Sequence, residues 1–132
     1  MKRKVLITLC LLSLMAAGIV FGQSTLTIPL DVPFKFMVGK KEMPTGKYEF
    51  VLTSGQRATL VLRNLDTKKA MFLPIVERLA ETHPEEKHHA QVVFDKVGDV
   101  RTLSEFWPPD NADGYLVGRA KGEESHEVLT QQ

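Results

Sequence analysis

The stretch "ETHPEEKHHAQ" places His83, Glu85, Glu86, His88 and His89 within a few residues of one another. Imidazole and carboxylate together can hold Zn²⁺ or Cu²⁺. The spacing argues against a shared ion. His88 and His89 are adjacent, and on an extended chain neighbouring side chains point to opposite sides. No HExxH pattern occurs either. A charged loop between strands accounts for the same residues, so no metal and no cofactor is expected. His83, His88 and His89 are the positions where that expectation would fail.

"PPDNADGY" offers Asp110, Asn111 and Asp113 as oxygen ligands beside Gly114. A calcium loop needs acids at alternating positions and a distant bidentate glutamate. Asp110 and Asp113 are out of that register, and Asn, Asp and Gly after Pro-Pro are what a wide turn uses. For nucleophilic catalysis the chain has Ser54, Ser104 and Ser125, with His126 directly after the last. No GxSxG elbow is present, and the paired acids Glu85-Glu86 and Glu123-Glu124 read as solvated runs. Contact with a partner is the better role for "SEFWPPDNADGY", whose Trp107, Asp110, Asp113 and Tyr115 surround a proline-stiffened loop. Trp107 itself is read first as a roof over the core, with the loop after it as the contact surface. With Leu103 and Glu105 on one face of "TLSEFW", strict alternation puts Trp107 on the Leu103 face, where Pro108 stops the strand.

These residues sit in a chain of 132 residues whose start reads as an export signal. "MKRK" is charged, "VLITLCLLSLMAAGIVFG" carries no charge, and "QSTLT" turns polar, with small residues ahead of a cut before Gln23. An anchoring helix is the alternative, since about 18 apolar residues suffice to span a bilayer. Cleavage predicts a signal peptide over 1–22 and one domain over 23–132, with no membrane span left after removal. Cys10 lies in the apolar run, so the mature chain has no disulfide, thiol nucleophile or cysteine ligand. Taking Lys2, Arg3 and Lys4 from the seventeen basic residues leaves fourteen against sixteen acids, a net of −2. Such a chain has no basic excess for phosphates, and nucleic acid is excluded as an expected partner.

The mature part consists of short runs rich in Val, Leu, Phe and Thr: "STLTIPL", "VPFKFMV", "KYEFVLT", "RATLVLRNL", "KAMFLPIV", "AQVVFDKV" and "VRTLSEFW". Pro29 marks the first as an edge strand or as a strand with an early stop. "SGQ", "NLDTKK" and "VGDV" are turns between them. The pattern predicts an all-β antiparallel sandwich or barrel of about six to eight short strands. Short helices are allowed at "VERLAETH" and, in the polar C-terminal tail, at "KGEESHEVLTQQ". "VPFKFMV" and "KYEFVL" read as adjacent strands joined by "GKKEMPTG". Pro44 and Gly46 supply its turn, Met43 covers the core end, and Lys40, Lys41 and Lys47 are solvated.

Met43, Pro44, Thr45, Gly46 and Tyr48, followed by Val93, Phe94, Gly98, Asp99, Leu103, Ser104, Phe106 and Trp107, resemble a pattern in small exported bacterial β-domain proteins of unassigned function. There a hairpin ends in a Leu-Pro-Ala-Gly-x-Tyr-like turn, and a later Val-Phe…Gly-Asp segment leads to Ser-x-apolar-Trp. Thr45 departs from the alanine, and "DVRTL" lacks an aromatic near Arg101. The resemblance implies export and a β fold, with no activity and no catalytic residues.

The expectation is therefore an exported, non-catalytic β domain that binds an unknown partner or belongs to an envelope or extracellular assembly. One alternative is a secreted hydrolase or metal-dependent enzyme using the His83–His89 loop. A second is a barrel carrying a small ligand.

Overall fold

The computed structural model of the chain describes residues 22–80, 89–110, 113–122 and 125–132. Residues 1–21 of the expected signal segment, and His83, Glu85, Glu86 and His88, lie outside the described residues. All regular elements among the described residues are β-strands. They are β1 (Ser24–Val32), β2 (Phe36–Val38), β3 (Lys41–Met43), β4 (Gly46–Ser54), β5 (Thr59–Asn64), β6 (Ala70–Leu73), β7 (Glu77–Ala80), β8 (Gln91–Val97), β9 (Val100–Trp107), β10 (Asp113–Leu116) and β11 (Ser125–Thr130). Among the described residues there are eleven strands, where about six to eight were expected. The additional ones are β3, β7, β10 and β11, of which β3, at three residues, is too short for alternation to show.

Two sheets face each other. One has the order β1-β4-β5-β6; the other runs β11-β8-β9-β10-β7, with β2 against β9 and β3 against β2. Alternation dictates the inner faces: Ile28, Leu30 and Val32 from β1, Tyr48, Phe50 and Leu52 from β4, and Leu60 and Leu62 from β5 are all buried. Phe36, Val92, Phe94, Leu103 and Phe106 face them from the other sheet. Phe50 and Phe106 stack across the gap with centroids 5.2 Å apart at 13°. Phe36 meets Tyr48 and Phe94 edge-on at 5.2 and 5.4 Å. These contacts close a cysteine-free core by apolar burial. As Pro29 predicts, β1 is an edge strand.

The "GKKEMPTG" segment works differently from expectation. "VPFKFMV" and "KYEFVL" do not pair. β2 instead turns back on β3 through Gly39-Lys40, with Gly39 at φ +59°, and β4 pairs with β1 and β5 in the opposite sheet. Pro44 and Thr45 thus form a corner from one sheet to the other, and Met43 is buried beneath it. The Tyr48 hydroxyl donates to the Pro44 carbonyl at 2.6 Å, a tyrosine tie of the kind that fixes such corners. Glycine suits position 46 there, because its φ of +153° is one that residues with a side chain rarely adopt.

Burial raises the Tyr48 phenol above its usual value; a hydrogen bond from Asn64 opposes the shift and the Asp66 charge adds to it. The fold therefore favours the protonated phenol. Its contribution is complete below about pH 10, the unfolded value, and is lost as pH rises through the higher folded value. Tyr48→Phe is expected to cost about 1–2 kcal/mol at neutral pH, since the Pro44 carbonyl and the Asn64 amide lose a partner. It should also flatten the fall in stability above pH 10, as measured by urea melts across pH.

Both expected helical segments are extended where described. In "VERLAETH", Glu77–Ala80 pair with β10, and in the tail Ser125–Thr130 pair with β8. The tail strand covers the otherwise open edge of β8 and lays Leu129 against the core. Backbone pairing and burial outweigh a weak helical pattern there. Among the described residues no helix is long and apolar enough to cross a membrane.

Candidate functional site

The ladder between β8 and β9 shifts register between Phe94↔Leu103 and Val93↔Glu105, leaving Ser104 as the extra residue of a bulge. The bulge reverses the parity of everything after it. Leu103 and Phe106 are both buried in the core, and Trp107 falls on the outer face with Glu105, not on the Leu103 face. Its indole N–H donates to Glu105 Oε2 at 2.8 Å. The ring lies flat on Gly114, where a Cβ would come within 2.5 Å of Cδ2. The indole thus covers bare backbone on the neighbouring strand.

The other expected contact residues are dispersed. Tyr115 is not a loop residue; it is 3 % exposed in β10, opposite Phe106. Asp113 begins β10 and pairs with Arg78 at 3.4 Å. The Arg78 guanidinium is held further towards its charged form by a hydrogen bond with Tyr115 and by the Tyr115 and Asp113 charges. Asp110 is exposed in the turn at φ +51°. His89 is exposed, and among the described residues no group of three His, Cys, Asp or Glu could hold a metal ion.

A different constellation forms behind the bulge. The Ser104 carbonyl accepts Val117 N at 2.7 Å and Gly118 N at 3.2 Å, which turns the chain off the β9 edge. Residues 118–122 then lead to β11 on the far side of β8. Asp95, 1 % exposed on β8, pins this crossover: Oδ2 accepts Ala120 N at 3.1 Å, and Oδ1 meets His126 Nδ1 at 3.0 Å. The His126 side chain is 56 % exposed. A buried carboxylate orienting an imidazole is two-thirds of a hydrolytic triad. The serines do not complete it. Ser125 precedes His126 on the same strand and so points to the opposite face. Ser54 hydrogen-bonds Ser24, and Ser104 is buried within the bulge. Asp95 acts here as a clamp.

The clamped crossover forms one wall of a cleft of about 630 Å³. The β2–β3 hairpin contributes Val38, Gly39 and Lys40; β6 and the residue after it contribute Met71 and Pro74; β9 contributes Val100 and Thr102; the crossover contributes Val117 to Lys121. Its walls are largely apolar, and its charged groups among the described residues are Lys40, Arg119 and Lys121. The sequence reading took Lys40 as a solvated turn residue and passed over Arg119, Lys121, Asp95 and the Asp95 contact of His126. The short basic run "GRAKG" was the available signal. Comparison of the chain with family models, with curated proteins and with solved structures finds no match.

Proposed function

We propose that the chain is an exported, non-catalytic binding domain that receives its ligand in the cleft between the β2–β3 hairpin, the end of β6 and the crossover. The cleft carries this reading. Its volume of about 630 Å³ falls within the roughly 300–1,000 Å³ of small-molecule sites, which are apolar-walled with a few charged groups. The Asp95–His126 pair is consistent with a binding role, because Asp95 Oδ2 holds Ala120 N of the cleft wall while Oδ1 meets His126 on β11. Export rests on the charged start, apolar run and small residues of the N-terminus. Kinship with small exported bacterial β-domain proteins belongs to the same proposal.

N-terminal sequencing of the native protein is expected to begin at Gln23, and an intact Met1 in the membrane fraction would sink the export claim. For binding, protein purified from its native source is denatured and extracted, and the extract is analysed by mass spectrometry. One small molecule per chain is expected, and it should be lost in Val100→Trp, which fills the cleft from a position 55 % exposed. Equal retention by the variant would refute binding at the cleft.

A further inference from the structure

Among the described residues that line the cleft the charge is one-sided: Lys40, Arg119 and Lys121 are there and no acidic residue is. Among the described residues none of the three takes part in an ion pair. The nearest buried acid, Asp95, has its oxygens on Ala120 N and His126, behind the crossover. These three cations therefore stand in a chain whose expected mature charge is negative, beside an apolar surface built by Met71, Val100 and Val117. Cations at the edge of an apolar recess favour a ligand with an anionic head and an apolar body. The head keeps its charge compensated in partial contact with water, and the body leaves water. A purely ionic ligand would leave the apolar walls wet. A neutral one would leave three like charges on the cleft without a counter-charge from the ligand.

Resting on the binding reading above, we infer that the cleft takes a free anionic amphiphile: a carboxylate or phosphate carrying a medium-length alkyl or similar apolar body. Lys40, Arg119 and Lys121 hold the head, and Met71, Val100 and Val117 hold the body. A free molecule is favoured over a membrane surface because the apolar side chains line a concave recess bordered by separate segments of the fold.

The test is a calorimetric and NMR titration of the purified protein with decanoate below its micelle concentration. Decanol, acetate and vesicles of anionic phospholipid serve as comparisons. Saturable binding of decanoate is expected, with shifts at Val100, Val117 and Ala120. Decanol and acetate should each bind at least tenfold more weakly. The triple variant Lys40→Gln, Arg119→Gln, Lys121→Gln, whose changes are on the cleft rim, should also lose at least tenfold while keeping its melting temperature. Raising the salt concentration should weaken binding to the wild type and not to the variant. Equal affinity for decanol, shifts confined to another surface, or capture by vesicles alone would overturn the inference. A neutral molecule extracted from the native cleft would overturn it and leave the binding reading intact. No extracted molecule together with no decanoate binding would end both.

Discussion

Phe106→Ala is expected to destabilise the protein by about 3–5 kcal/mol, lowering Tm by something on the order of 10–20 °C, whereas Trp107→Ala is expected to cost about 1–2 kcal/mol. The neighbours differ because the bulge at Ser104 sends them to opposite faces. Phe106 is fully buried and stacks on Phe50 from the opposite sheet, so its removal opens a cavity where the two sheets meet. Trp107 is half-buried on the outer face, covering Gly114 and bonded to Glu105. Its loss exposes backbone without emptying the core. Urea melts of the two variants, followed by circular dichroism, check the order. A larger loss at Trp107 would mean that the bulge lies elsewhere and that the indole is inside.

The second large effect is expected at Asp95. Asp95→Ala should cost about 2–4 kcal/mol, because two hydrogen bonds to a charged group disappear and the Ala120 N–H is left without its acceptor. His126→Ala should cost only about 1 kcal/mol. The imidazole is more than half exposed, so water can reach the carboxylate once it is gone. The clamp also predicts where the damage appears. In Asp95→Ala the amide of Ala120 should exchange with solvent much faster at low denaturant, while amides of β4 and β5 change only with global stability. Unchanged exchange at Ala120, or equal losses for the two substitutions, would show that Asp95 does not hold the crossover.

How far the sequence could be read depends on strand length and on parity. Tyr48, Phe50 and Leu52 alternate over a long strand, and their burial follows from that pattern alone. Gly98-Asp99 marks its two-residue hairpin, with Val97 opposite Val100. The three-residue β2 and β3 show no period, so the pairing of β2 with β3 in place of β4 was hidden. Parity fails at Ser104, because a bulge depends on which partner lies alongside, and this misplaced Trp107. Tyr115 read as a loop aromatic because Gly114 and the prolines before it read as a turn. The tail allows a short helix on sequence alone, since only an open β8 edge makes it a strand. The site was the least legible part. Asp95 and His126 are far apart in sequence, and the cleft cations come from a hairpin and a crossover that only the folded sheets bring together.

The edge of β9 is divided between two partners: β10 after the bulge, and β2, in parallel at Met37↔Thr102, before it. This division sets an order of assembly. β8 and β9 meet through a two-residue turn and can join within microseconds, as hairpins do. β2 has no such neighbour on β9. Its contact closes a loop over about half the chain, so the entropy of closure falls on one short parallel pairing. As the chain is synthesised from its N-terminus, Phe36 and Val38 are made long before Thr102 exists to receive their strand. The small β2–β3 hairpin therefore waits with its β9-facing edge unpaired and Phe36 without Phe94. That interval is when a chaperone can bind the nascent chain, and it ends only when the second half of the sandwich has been made.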